Sequence, residues 1–316
     1  MGTKTLKYKT LIRKLWDSLG VWLIFIVLFI LLSLLSDNFL TGSNLLNIVR
    51  QISVNGIIAL GATLVVMSGE IDLSQGSLAA LIGCFCAMLM VRGISPIVAI
   101  LIALMVGFLI GILMGVAVAF LKVPSFITTL AMMYSLSGAV LLLTNSQPIS
   151  GLPESFLVLG RGYLGFIPVP VLITTVVLIV TWFMIKFLPF GRYTLAIGEN
   201  ENAARLSGIN VAKTRVLIFA FAGLASALGG IVLASRLSSG QPSSGSDLSL
   251  QALAAVFIGN ASGKKVTNTI AGALIMGLIN NGLNLMEVNA SWQKVALGLI
   301  LIGAVGLDVV RNKNKS

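Results

Sequence analysis

The sequence predicts an all-α polytopic membrane protein of about ten transmembrane helices, with spans 2–5 and 7–10 related as an inverted repeat. Composition is the first ground: 57% of the 316 residues are hydrophobic and 10% charged, against about 25% charged in soluble chains. The second is a series of apolar stretches near 21–35, 54–68, 76–91, 97–121, 126–144, 169–188, 214–235, 250–262, 267–286 and 292–310. A spanning helix needs about 20 such residues, so the short first, third and eighth stretches are expected to tilt or re-enter. The third is an internal echo. Asp72-Leu73-Ser74 leads to Leu78-Ala79-Ala80, and Asp247-Leu248-Ser249 leads to Leu253-Ala254-Ala255 at the same spacing.

Charge sets the orientation. With the N-terminus inside, 16 of the 21 Lys and Arg residues fall on one side, and only Arg50, Arg92, Arg161, Arg236 and Lys294 on the other. Basic residues collect in the cytoplasm, so both termini are read as cytoplasmic and the net charge of +11 needs no nucleic acid. The run 21–35 is read as a retained first span, since no small-residue cleavage site follows it. The whole chain, 1–316, is read as one transmembrane domain. A basic cytoplasmic segment covers 1–20, and a polar cytoplasmic loop covers 189–213. The longest exterior connection is 145–168. Cys84 and Cys86 sit in an apolar run without metal or redox spacing and are expected to pack. The sequence has no histidine and no paired nucleophile and base, which excludes a hydrolase site.

Taken in order, the second span ends in SGEIDLSQGS, which places Glu70 and Asp72 beside an apolar run with Ser68, Gly69 and Gly76. Carboxylates at membrane depth mark a pathway, a pair or a gate, whereas at the surface they are merely solvated. Irregular backbone there is tolerated only if it is buried in protein or lines a cavity. Gly107, Gly111 and Gly115 share one helical face, as do Gly223 and Ala227, and both faces suit close packing. In the ninth span Asn280 and Asn284 lie one turn apart with Asn281 adjacent. Carboxamides donate and accept hydrogen bonds, as a sugar hydroxyl demands, so these three are read as lining a pathway beyond their value as interhelical glue. Asn55, Ser74 and Gln75 are further candidates of the same kind.

The longest polar interruption is 191–215, GRYTLAIGENENAARLSGINVAKTR. It predicts a short helix with Asn200 as N-cap, Glu201 in the first turn where the macrodipole favours a negative charge, and Gly208 as the left-handed stop. It is either an ordinary cytoplasmic loop or a knob shaped for another protein.

Several stretches together carry a resemblance: VNGIIALGATLVVMSGEIDLSQGSLAAL, the VPSFITTLAMM run at 123–133, GRYTLAIGENENAARLSGIN, RLSSGQP at 236–242 and NNGLNL at 280–285. With its IDLS-x-GS and G-x-N-x-x-A-A-x-x-x-G-I motifs, nearly the whole chain resembles the membrane permeases of bacterial ABC importers for ribose and related sugars. The resemblance implies a dimeric channel in the bacterial inner membrane, made with a second permease subunit, a homo- or heterodimer. Cytoplasmic ATP-binding subunits would press on a coupling helix, and an extracytoplasmic sugar-binding protein would deliver the cargo. The coupling residues it implies are Glu199, Asn200, Glu201, Ala203, Ala204, Arg205 and Gly208. The implied pathway takes in Asn55, Glu70, Asp72, Ser74, Gln75, Asn280, Asn281 and Asn284.

No cofactor is expected in this chain, because no G-x-x-x-x-G-K-[ST] loop appears and ATP would be bound by the partner. The chain departs from the family pattern at Ser249 and Gln251, which stand where acids are usual, and at a contracted loop, 261–265. Both departures permit pairing with a non-identical subunit. Other readings are a permease for a sugar-derived signal, nucleoside or branched-chain amino acid, or an ion-coupled carrier, which would want more ionisable residues in mid-span.

Overall fold

The computed structural model describes residues 20–260 and 266–313, with side chains described up to 306. The 1–20 segment, save Gly20, and the 261–265 loop of the sequence reading lie outside the described residues. The described chain is almost wholly helical. In order it runs α1 (Gly20–Leu35), α2 (Gly42–Met67), α3 (Gln75–Val91), α4 (Pro96–Ala119), α5 (Ser125–Thr144), α6 (Glu154–Arg161) and a two-stranded hairpin of β1 (Tyr163–Leu164) and β2 (Ile167–Pro168). It continues through α7 (Val169–Phe187), α8 (Pro189–Glu199), α9 (Glu201–Leu206), α10 (Val211–Leu237), a 3-10 turn (Pro242–Gly245), α11 (Leu248–Asn260), α12 (Val266–Leu285) and α13 (Ala290–Lys313). This is an all-α polytopic membrane protein. Each predicted apolar stretch is helical over nearly all of its described residues. Polar Asn44, Asn47, Arg50 and Gln51 lie inside α2, which therefore starts well before the apolar stretch does.

The chain divides into two compact units, Val49–Ala252 and a second made of Met1–Ile48 with Leu253–Ser316. Within the larger unit α2 and α10 are the inner helices, with 83% and 72% of their apolar windows buried. On α4, α5 and α7 the corresponding figures are 28%, 17% and 11%. Those three present large apolar side chains such as Leu113, Tyr134, Ile179 and Phe183 outward, as helices facing lipid must. The two small-residue faces of the sequence reading meet each other: Gly107, Gly111 and Gly115 of α4 lie against Ala227, Phe219 and Val216 of α10, and Gly223 fits against Gly107 and Gly111.

Two stretches without α-helix enter this unit from opposite ends. Glu70 is bonded to Arg215 near the start of α10, yet Ala79 lies against Gly230. Those two α10 residues are separated by about 22 Å at 1.5 Å per residue. The stretch 70–74 therefore climbs extended along α10, and α3 begins near the middle of that helix. From the far end, Gly240 sits beside Cys84 and Ala87 of α3, while Gly245 sits against Gly76. The stretch 238–247 thus runs back along α3, and α11 starts where α3 starts. The echo of the two Asp-Leu-Ser segments is met here as two interrupted helices whose ends touch. At that junction Gly76 carries no side chain because the carbonyl of Gly245 occupies the space.

The smaller unit packs α1 on α12 through Val21, Ala271 and Ile275 with Trp22, Phe25 and Ile279, and Leu32 fills the space beside Gly282. Its α11 residues lie on α12, with Gly272 against Ala255 and Gly259 against Asn268.

Adding one methyl at the junction is expected to force it apart. Gly76→Ala should lower the thermal midpoint of the purified chain by an amount equivalent to about 1–3 kcal/mol. Gly138→Ala, which meets nothing within 4 Å, should leave the midpoint unchanged.

Candidate functional site

At the junction polar side chains meet inside the larger unit. Ser249 Oγ accepts the Gly76 N–H at 2.7 Å, and the Asn55 amide donates to Gln251 Oε1 at 2.8 Å. Gly229 packs on Ile58 and Val54, which sets Asn55 at the level of the Gly230–Ala79 contact. Ser249 and Gln251, the two departures from the acidic pattern, are thus the residues that tie α11 to α3 and α2.

The extended stretch is held by side chains in place of a ladder. The Ile71 N–H donates to Ser125 Oγ at 3.4 Å and its carbonyl accepts from Thr129 at 3.2 Å, both on α5. Asp72 is buried, and its Oδ1 accepts from the Ser74 N–H at 2.8 Å and from Ser74 Oγ at 2.6 Å. It stands at the start of α3, where the helix dipole favours a carboxylate. Asp72 Oδ2 and both polar atoms of the buried Gln75 side chain make no well-formed hydrogen bond among the described residues. Such groups cost free energy unless a ligand or water meets them. Among the predicted pathway residues, Asp72, Ser74 and Gln75 share the start of α3, and Asn55 is joined to that place through Gln251 and Ser249 of α11.

Glu70 is placed elsewhere. Its carboxylate pairs with Arg215 at 2.8 Å, Arg215 also pairs with Glu201 at 2.9 Å, and Glu201 with Arg205 at 2.6 Å. This chain of charges joins the end of α2 to α9. The inner pair is well shielded, with side chains 13% and 14% exposed. Backbone contact runs beside it, since Gly198 at the end of α8 lies on the Met67 carbonyl. Asn200 caps α9 by accepting the Ala203 N–H at 2.9 Å, and Gly208 closes it at φ +84°. Ala204 packs with Ile197 and Val211, so α8, α9 and the start of α10 share one small core. Asn202, Ala203, Arg205 and Leu206 face outward, Leu206 being 89% exposed, while Glu199 is exposed at the end of α8.

The Arg215 hydrogen bond holds the Glu201 carboxyl below the ordinary carboxylate range, against a smaller upward push from partial burial. A depressed pKa means the tie is intact at neutral pH and is lost only as the pH falls through that lowered value.

The three asparagines of α12 separate. Asn281 exchanges two hydrogen bonds with Asn44, at 3.1 and 2.7 Å, which makes it glue within the smaller unit. Asn284 accepts from Gln293 at 2.9 Å near the surface. Of the three, Asn280 keeps a buried amide nitrogen without a partner among the described residues.

Sequence reasoning missed Gly198, Ser125, Thr129 and the role of Arg215. For Arg215 a signal existed, a basic residue in the first turns of a long helix, where the dipole disfavours it unless a carboxylate is near.

The model for the family described as "branched-chain amino acid transport system / permease component" matches residues 44–305. The chain belongs to that family. It is 42% identical to the ribose import permease protein of Bacillus subtilis (strain 168), over 96% of this chain and 95% of that protein. To the ribose import permease protein of Escherichia coli (strain K12) it is 40% identical over 98% and 99%. To the L-arabinose transport system permease protein of the same strain it is 37% identical over 96% and 93%. No solved structure matches the chain.

Asn281→Leu should destabilise the permease by about 0.6–2 kcal/mol, an effect that Asn44→Leu does not add to in a double mutant. Asn280→Leu, which breaks no bond, should leave the melting curve in place and weaken transport.

Proposed function

We propose that this chain is the membrane-spanning permease subunit of an ABC importer that carries a ribose-like monosaccharide across the bacterial cytoplasmic membrane. Both termini and the α8–α9 segment face the cytoplasm. The observation that carries the reading is the identity of 40–42% to ribose import permeases along almost the whole chain. A second permease subunit, equal or different, completes the path. Separate ATP-binding subunits hydrolyse ATP, and an extracytoplasmic binding protein delivers the sugar.

In this reading the interrupted helices are the moving part. Discontinuous helices meeting at mid-membrane expose polar backbone and helix ends to a cargo. Asn55, Asp72 and Gln75 offer a sugar hydroxyl both donors and acceptors. The α9 knob receives the push of the ATP-binding subunits through its outward face. The Glu70–Arg215–Glu201 chain and the Gly198–Met67 contact hand that push to the stretch 70–76. An affinity low enough for release follows from a site with few charges.

The family description favours a second reading, an amino-acid cargo. Uptake assays with labelled ribose and labelled leucine, in cells lacking their own carriers and supplied with the partner subunits, separate the two. Ribose uptake that depends on ATP supports the proposal, and leucine uptake alone overturns it.

Two variants test the coupling route. Gly208→Val has space for its side chain but not the required backbone conformation, so ATP hydrolysis should continue while uptake falls at least tenfold, about 1.4 kcal/mol. Glu70→Arg should uncouple in the same way, and the exchange Glu70→Arg with Arg215→Glu should recover part of the uptake. Normal uptake in both single variants would remove α9 and its ion pairs from the mechanism.

A further inference from the structure

A cavity of about 330 Å³ opens where α4 ends beside α9 and the first turns of α10. Gly115 fits against Val216, which brings these ends together within the larger unit. Ligand pockets start at about this size, roughly 300 Å³. Its lining carries three cations, Lys122, Arg205 and Arg215, and no carboxylate. Glu70 and Glu201 pair with the two arginines from outside that lining.

The fold leaves these donors unspent. Lys122 takes part in no ion pair among the described residues. Its backbone lies at φ +55°, a left-handed conformation that glycine holds at lower cost, yet the position carries a long cation. Arg205 is held by Glu201 alone, in a pair whose arginine side chain is 63% exposed, and such pairs are cheap to give up. Arg215 keeps a buried Nε that makes no well-formed hydrogen bond among the described residues. The N–H groups of Val211 and Ala212, also in the lining, meet no acceptor either, because Asn210 takes those of Lys213 and Thr214. Ammonium, guanidinium and free amide groups around one space are the donor set of a phosphate.

We infer that this cavity binds an anionic phosphate group, carried by a phospholipid or by a soluble phosphorylated compound, and that the bound group ties α9 to the end of α4. The surroundings favour the lipid. Phe120 and Leu121, 62% and 71% exposed, precede Lys122 at the end of a lipid-facing helix, so acyl chains have apolar surface beside the cavity. Basic pockets between spanning helices on the cytoplasmic side hold such head groups. The inference rests on the proposed function only for that side of the membrane; neither sugar nor ATP enters its test.

The full chain, purified in a detergent with an uncharged head, is titrated with short-chain phosphatidylglycerol while its thermal midpoint is read. The wild-type midpoint should rise saturably, by about a few degrees. Phosphatidylcholine, whose own choline neutralises its phosphate, should not reproduce the rise. Lys122→Gly suits the backbone and removes the cation, so it should weaken the apparent affinity about fivefold. Ala212→Glu sets a carboxylate in the first turn of α10, where the dipole favours it; it should keep the lipid-free midpoint and lose the lipid response. Glycerol 1-phosphate is the remaining arm. An equal rise with it makes the source a soluble compound, a rise with phosphatidylglycerol alone makes it the lipid, and either supports the site. A wild type that answers no probe, equal rises with the two lipids, or an unchanged response in both variants overturns it. So does loss of the wild-type response when the ATP-binding subunits are added, which assigns the cavity to that interface. Failure of the importer reading in uptake assays would leave the binding curves of the purified chain as they are.

Discussion

Non-helical backbone inside a bilayer must find its hydrogen-bond partners within the protein, and the stretch 70–74 finds them in side chains. Ser125 and Thr129 take both main-chain groups of Ile71, Ser74 satisfies one oxygen of Asp72, and Ser249 caps the first turn of α3 at Gly76. Each of these is a single hydroxyl, worth about 1 kcal/mol net. A segment held by such bonds is cheap to release and to re-form. A continuous helix in the same place would carry its own hydrogen bonds and would not yield.

That softness is bounded by stiff neighbours. The α4–α10 seam is closed by backbone against backbone, with no side chain between Gly111 and Phe219 to absorb a shift. Under the proposed function, motion delivered at α9 would have little freedom to spread sideways. The ion pairs of Arg215 and the contact of Gly198 with Met67 join α8 and α9 to the end of α2 and to Glu70, and the contact of Gly76 with Gly245 joins the start of α3 to the turn before α11, which is the route the proposed function would use. Interfaces of this kind have two arrangements rather than a continuum, which suits a path that must never be open at both ends.

Composition and periodicity made the class and the helices legible, because lipid leaves few alternatives to an apolar helix. The capped α9 was legible too, since Asn200 and Gly208 act on neighbours within the same turn or two. What the sequence hid was long-range. Glu70 and Asp72, two residues apart, have opposite roles, one tied to Arg215 and the other to Ser74, and no local pattern tells them apart. The asparagines of α12 share a motif and yet divide, because what decides Asn281 is Asn44, far away in the chain. Ser249 and Gln251 looked like lost acids; they tie α11 to α3 and to α2.

The central claim is that the interrupted backbone at the start of α3 opens and closes under the control of ATP. It is tested most directly by placing a cysteine at Gln75, a buried position, in a chain whose Cys84 and Cys86 are replaced by Ala. The measurement is the rate at which a small, charged thiol reagent modifies that cysteine in the assembled complex, with and without ATP. The account predicts a rate that changes at least about tenfold between the two conditions, a shift of roughly 1.4 kcal/mol in exposure. A rate that stays the same, whether fast or negligible, would contradict it.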